Sequence, residues 1–280
     1  MFVNPVPTHN DAPPGLAAWL DSVDGATQPT VRTVVIDGVA CVIKRRKHGP
    51  RRAVSQAVHY VRALLLGLVC KLFLGQFPRP SILLRNDLEH EAQRLRSLAA
   101  AGLRVPALWR QEPDLLVLEH VGNDLGELLR DGDPAQRMEW VQAAALDMAD
   151  FHARGMWHGG AQLRNVTCRD GLLWRIDFEE NIGAALSLPL AQAYDVYQML
   201  SSLMSMRRLD PQAMPEFGRR MLETYFQAHP APQVKAELTR IGRLLAGSSS
   251  VLRPVLRHFS SRDIQGFLRV ADLLRLLWKP

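Results

Sequence analysis

The residues best suited to chemistry lie between His158 and Asp195. The run His158-Gly159-Gly160-Ala161-Gln162-Leu163-Arg164-Asn165 is followed by a β-prone segment, Leu172–Ile176, and then by Asp177-Phe178-Glu179. An amide oxygen and a carboxylate are hard donors of the kind magnesium takes, and a cation held between Asn165 and Asp177 would neutralise phosphate groups. Upstream, Val42-Ile43-Lys44 closes another β-prone run. An ammonium group at a strand end can reach phosphate oxygens, although Lys44 also begins a basic stretch that could be no more than a solvated loop. Downstream, Asp195 sits among Tyr194, Val196 and Tyr197, neighbours that suggest a buried carboxylate.

The elements that must position these groups fall into two halves. A short helix is expected over Gly15–Ser22, inside an otherwise irregular segment covering residues 1–30. Val31–Ile36 and Val39–Lys44 are β-rich runs joined by Asp37-Gly38, a strong hairpin signal because both turn positions tolerate positive φ. Residues 53–75 read as a Leu- and Ala-rich helix that Pro78 and Pro80 end. Asp87–Ala101 carries Leu88, Ala92, Leu95, Leu98 and Ala99 at helical spacing and stops at Gly102. Pro106–Arg110 and Leu115–Glu119 read as two more strands. After Gly122 the pattern is helical over Leu125–Arg130, Ala135–Arg154, Ala191–Met206, Pro215–Ala228, Val234–Leu245 and Arg262–Leu277, interrupted by a strand-like Leu172–Phe178. Strands first and helices after imply an α+β protein with a sheet-bearing N-terminal lobe and a helical C-terminal lobe.

The 280 residues and 47% hydrophobic content can form one large domain or two lobes with cores. The formal charge is +6, concentrated in Lys44-Arg45-Arg46-Lys47-His48-Gly49-Pro50-Arg51-Arg52. That run lacks interleaved aromatics, which argues against nucleic acid as a partner. The three cysteines, Cys41, Cys70 and Cys168, have neither metal-ligand nor paired spacing and read as free thiols of a reducing compartment. Met1–Pro14 lacks the charged start and apolar core of a secretory signal, and the apolar stretch Val54–Phe77 is broken by His59, Arg62 and Lys71. A cytoplasmic location is expected. Peripheral docking at an anionic inner-membrane surface is the alternative use of the basic run and the helix beside it.

In order and spacing these motifs resemble the atypical protein-kinase-like group that includes bacterial lipopolysaccharide core kinases acting on 3-deoxy-manno-octulosonic acid or heptose. RIO-like kinases and their universal relatives are more distant. The resemblance spans about residues 31–200, and it includes Glu91-Ala92-Gln93-Arg94-Leu95-Arg96-Ser97-Leu98 followed by Ala101-Gly102-Leu103-Arg104-Val105-Pro106. It implies a two-lobed protein-kinase-like fold that uses ATP and Mg2+. The N-lobe would cover 31–118 with a basic and apolar helical insertion at 45–77, the hinge 119–125, and the helical C-lobe 126–280. Lys44 would hold the α- and β-phosphates and pair with Glu91. From the residues alone, Glu91 could instead pair with Arg94 one helical turn on. Backbone groups near Glu119 and Val121 would take the adenine edge, and Gly122 would turn the chain between lobes. His158 and Asp195 would brace the loop, while Asn165 and Asp177 would bind magnesium.

The chain departs from that pattern in three places. No full glycine-rich loop precedes Lys44; Asp24-Gly25-Ala26-Thr27 is a reduced candidate. Gly160 stands where the resemblance places the catalytic aspartate, and Glu179 stands where it places the last glycine of Asp-Phe-Gly. Glu179 or Glu180 could supply a displaced carboxylate, and Glu179 could equally add a metal ligand. Gln162 occupies the place of a γ-phosphate lysine, whose charge Arg164 could restore. The implied activity is phosphoryl transfer from ATP to a hydroxyl of a sugar or lipid-linked sugar. A catalytically impaired nucleotide-binding module and a protein Ser/Thr kinase are the alternatives.

Overall fold

A computed structural model of the chain describes residues 11–22, 30–46, 88–206, 209–210, 212–256 and 262–277. The helix expected at 53–75, most of the basic run with its proposed membrane contact, and the reduced loop at 24–27 lie outside the described residues.

The Asp37-Gly38 signal makes the hairpin it predicts. Asp37 and Gly38 have φ of 48° and 78°, the left-handed values of a turn that matches strand twist. They join β1 (Val31–Ile36) to β2 (Val39–Arg45) with Ile36 opposite Val39. β2 pairs antiparallel with β4 (Leu115–Glu119), which pairs antiparallel with β3 (Leu108–Glu112), giving the order β1-β2-β4-β3. β3 starts two residues later than the expected Pro106. Proline has no N–H to give to a ladder, so a strand that starts beyond it keeps all its donors.

All five residues of β4 are buried, which explains its unbroken apolar run. Alternate side chains serve different faces. Leu115 and Val117 pack with Ile36, Ile43 and α1 (Leu16–Ser22). Leu116 and Leu118 pack with Ala92, Leu95 and Leu98 of α2 (Leu88–Ala100), and with Phe151 and Phe178 from the helical half. α2 ends where its glycine predicts. Gly102 has φ of 72°, its N–H donates to Ala99 O at 2.9 Å, and Leu103 N–H donates to Leu98 O at 3.0 Å. These are the two bonds of a Schellman end.

Gly122, at φ 90°, lets the chain leave the sheet. A Cβ there would lie 1.9 Å from Cys168 O, so only glycine fits. A two-residue strand, β5 (Asn123–Asp124), follows and pairs with β6 (Val166–Arg169), which pairs with β7 (Leu172–Arg175). Sequence reading leaves out β5 and β6 and carries β7 on to Phe178. The turn between β6 and β7 is Asp170-Gly171, with φ of 53° and 74°. It is the same signal as Asp37-Gly38.

Asp124 accepts Glu127 N–H at 2.9 Å and so caps α3 (Leu125–Asp131). Asp133 and Gln136 form a reciprocal capping box on α4 (Pro134–Ala153). The remaining helices are α5 (Leu188–Met204), α6 (Met214–Ala228), α7 (Pro232–Leu256) and α8 (Arg262–Leu277). Several start earlier than expected, with proline in the first turn, because its missing N–H costs nothing there. α7 runs well past the expected Leu245. Leu125, Met148, Val196, Met199, Tyr225 and Leu238 belong to the one core that these helices share. The whole is an α+β arrangement of a small antiparallel sheet with α1 packed on one face and α2 on the other, followed by a helical lobe. No helix among the described residues is long and apolar enough to cross a membrane.

Candidate functional site

Lys44 is the residue on which three elements meet. It lies on β2, and its side chain points to the face covered by α2. Its Nζ donates to Glu91 Oε1 at 2.8 Å and Oε2 at 3.0 Å, and to Asp177 Oδ1 at 2.6 Å. Glu91 is fully buried and Lys44 nearly so, while the Asp177 side chain keeps 30% exposure. Burial alone would lower the Lys44 pKa, but the facing Glu91 and Asp177 carboxylates outweigh it and hold the ammonium charged well above its ordinary value. Glu91 sits on the apolar stripe of α2, where an unpaired carboxylate would not be tolerated. Its partner is Lys44 rather than Arg94.

Arg94, one turn further along α2, has a role that no local spacing signals. Its guanidinium donates to Trp157 O at 2.6 Å, His158 O at 2.9 Å and Glu180 O at 3.4 Å. It also lies over the Trp157 ring at 3.9 Å. The same helix therefore sets Lys44 through Glu91 and ties down both loops of the site through Arg94.

The loop after α4 is built around Asp195 of α5, which is fully buried. Asp195 Oδ2 accepts His158 N–H at 2.5 Å and Oδ1 accepts Gly159 N–H at 2.8 Å. His152 Nε2 lies 3.3 Å from Oδ2, and its Nδ1 lies 2.7 Å from Tyr225 Oη. Burial would raise the Asp195 carboxyl, but these donors hold it below its ordinary value. Gly159 has φ of 91°, and a Cβ on it would come 2.9 Å from Glu180 O. Gly183 lies under the Trp157 ring, where a Cβ would be 2.1 Å from the indole. Those two glycines are demanded by close approach.

His158 stacks on Phe178 at 4.4 Å between ring centroids. Its Nε2 donates to Ile176 O at 3.0 Å and its Nδ1 accepts Gly160 N–H at 3.1 Å, which assigns a neutral ring. Burial, aided by the charges of Arg175 and Arg94, depresses its pKa to about 3 against the pull of Asp195. As pH falls, the unfolded chain takes up this proton near pH 6.5 and the folded one near 3, so stability is lost across that window. Each pH unit within it costs ~1.4 kcal/mol for such a histidine. The midpoint of thermal unfolding is expected to fall steadily from pH 7 to pH 4. His158→Gln is expected to flatten that slope, and an unchanged slope would show that the ring is not held neutral.

Asn165 lies in a short 3-10 turn, Leu163–Asn165, and its Nδ2 donates to Gly160 O at 2.8 Å. Asp177 follows β7 with φ of 66°. A non-glycine residue there costs of order 1–3 kcal/mol, and such strain collects at functional sites. Carboxylate oxygens of Glu91, Asp177 and Glu179 lie within 4.8 Å of one another. Of the remaining expected residues, Gln162 contributes its backbone N–H to Gly160 O at 2.7 Å, and Arg164 is exposed. Glu119 is buried and spends its side chain on Arg169 at 2.5 Å. Its N–H donates to Ala107 O at 2.9 Å, so that amide is committed to the sheet. Val121 is buried beside it.

No family model matches the chain. Among curated proteins it is similar to an uncharacterized protein of Haemophilus influenzae, 28% identical over 97 residues. The match takes in 34% of this chain and 40% of that protein, so the chain spans about two fifths of the length of the curated relative it matches. Among solved structures it is similar to an aminoglycoside-3'-phosphotransferase of type VIII, with 15% identity, a TM-score of 0.46, and coverage of 90% of this chain and 92% of that one. It is also similar to WaaP in complex with acyl carrier protein, with 15% identity, a TM-score of 0.46 and coverage of 92% and 91%. A third likeness is to the Rv3197–erythromycin complex from Mycobacterium tuberculosis, with 18% identity, a TM-score of 0.42 and coverage of 90% and 72%.

Proposed function

We propose that this chain is an ATP-dependent phosphotransferase whose acceptor is a hydroxyl of a sugar or lipid-linked sugar. The observation that carries the proposal is the Lys44 ammonium, clamped by Glu91 and Asp177 from two other elements at 2.6–3.0 Å. An ammonium held charged and aimed at a partly open edge suits the α- and β-phosphates of a nucleotide. The linker at Glu119–Val121 is the proposed place of the adenine edge.

The carboxylates of Asp177 and Glu179 and the amide of Asn165 are all hard oxygen donors, which fits magnesium. Asp177 and Asn165 are the proposed ligands, with Glu179 as a further one. Bound there, the ion would neutralise charge on the transferring phosphoryl group. The protein's own part is positional. Lys44 orients the phosphates, Glu91 fixes Lys44, Arg94 and Asp195 fix the loop, and the segment between Asp177 and α5 is short. That short segment also argues against a peptide-docking platform and hence against a protein kinase.

One observation favours an alternative, a nucleotide-binding module without turnover: Gly160 has no side chain to offer an acceptor. The experiment that separates them is thermal unfolding with ATP and Mg2+, together and apart, alongside ADP release with lipopolysaccharide core oligosaccharide as acceptor. At ATP a hundredfold above its dissociation constant, stabilisation of about 5 °C or more is expected. Asp177→Asn is expected to remove the magnesium-dependent part and the turnover. Stabilisation without ADP release supports the module. No nucleotide effect in any variant sinks the site altogether.

A further inference from the structure

Gly160 is the one glycine of its loop that neither backbone nor packing demands. Gly159 beside it has a left-handed φ and would clash, whereas Gly160 has no left-handed φ. An ideal Cβ on Gly160 would meet Asn165 Nδ2 at 3.4 Å, Glu180 Cδ at 3.7 Å and His158 Nδ1 at 3.7 Å, all ordinary contacts. A side chain growing from Gly160 would thus run towards space that the carboxyl group of Glu180 already borders. Glu180 comes from the opposite loop, twenty residues further along the chain. Its backbone is held there: Arg94 Nη1 donates to Glu180 O at 3.4 Å, and Gly159 packs against the same carbonyl.

Resting on the phosphotransfer reading, we propose that Glu180 supplies from the second loop the carboxylate that Gly160 cannot supply from the first. Glu179 is excluded from this task by its placement. It is exposed, and its carboxylate belongs with those of Asp177 and Glu91. Glu180 is half-buried and turned towards Gly160. Consecutive residues thereby divide two functions, Glu179 facing the cation side and Glu180 the acceptor side.

In the step itself, the acceptor hydroxyl donates its hydrogen bond to the Glu180 carboxylate. The hydroxyl oxygen forms a bond to the γ-phosphorus as the bond from that phosphorus to the β,γ-bridging oxygen breaks. ADP leaves with the electron pair of the broken bond. The hydroxyl proton passes to the carboxylate and from there to water, so the group is regenerated. An acceptor oriented in this way is a neutral alcohol such as a sugar hydroxyl, which has no charge of its own to be steered by.

The test uses four full-length proteins: wild type, Glu180→Gln, Gly160→Asp and the double variant. Two readouts are compared, thermal unfolding without any ligand and steady-state ADP release with either water or lipopolysaccharide core oligosaccharide as acceptor. If the two positions share one space, a second carboxylate at 160 is repelled by the first. Gly160→Asp is then expected to lower the unfolding midpoint by at least about 2 °C more in wild type than in the Glu180→Gln background. Glu180→Gln is expected to keep the stabilisation by Mg2+ and ATP while lowering the turnover number about 10²- to 10⁴-fold. Gly160→Asp added to it is expected to recover at least about tenfold of that loss. Additive unfolding shifts, or an active wild type whose turnover Glu180→Gln leaves intact, overturn the role of Glu180 and leave the phosphotransfer reading standing. A wild type that releases no ADP overturns that reading, and the role of Glu180 with it.

Discussion

Lys44→Met is expected to lower the stability of the folded protein by about 3–5 kcal/mol, because it leaves a fully buried carboxylate without its partner. Glu91 has no exposed surface, and both its oxygens lie on Lys44 Nζ. The loss is therefore mostly the cost of the stranded charge, not the worth of the pair. Glu91→Leu added to Lys44→Met is expected to return most of it, since an apolar pair of similar volume suits the surrounding Ala92, Leu95 and Leu98. Urea unfolding of the three variants measures this, with a shifted midpoint and an unchanged slope. Turnover should behave differently. Lys44→Met is expected to reduce it by about 10²–10³, and Glu91→Leu should restore none of it. Recovery of activity along with stability would show that Lys44 is a structural ion-pair partner only.

Asp195→Ala is expected to cost a similar amount, about 3–5 kcal/mol, by leaving the buried amides of His158 and Gly159 without an acceptor. Asp195→Asn is expected to fare little better. It keeps one acceptor but turns an N–H donor towards a donor, either an amide or His152 Nε2. The two variants also separate local from global damage. Hydrogen exchange should rise first in the loop at 157–160, because α5 keeps its apolar neighbours Val196, Met199 and Leu200. Uniform loss of protection through the helical core would instead assign Asp195 to overall stability, with no special hold on the loop.

Much of the fold could be read from local signals. The β1–β2 hairpin follows from Asp37-Gly38, and the end of α2 follows from Gly102, since left-handed backbone is a property of a few residue types. The edges that differ from expectation have physical reasons too. β3 begins beyond Pro106 because a ladder needs N–H groups. β5 is held by β6, and β6 by both β5 and β7, and strands of two and four residues carry too little periodicity to be seen alone. α7 continues past Leu245 through Gly247 and a serine run of low helix propensity, and tertiary context routinely overrides such propensities.

The buried Lys44 shows how the two kinds of information divide. The sequence by itself determined the types and order of the groups, Lys44, Glu91, His158, Asn165, Asp177 and Asp195, because strand ends, turns and helix stripes are local features. Only the tertiary structure decided which of them meet. Lys44 reaches Glu91 across 47 positions and Asp177 across 133, and Arg94 turns from its helical neighbour to backbone carbonyls 63 and 64 positions away. No local spacing encodes such pairings. They follow from α2 packing between the sheet and the helical lobe, which brings the charged edge of one helix against a strand on one side and two loops on the other. The place beside Gly160 belongs to the same class: the sequence records a missing side chain, and the packing of the second loop sets the Glu180 carboxyl next to the gap.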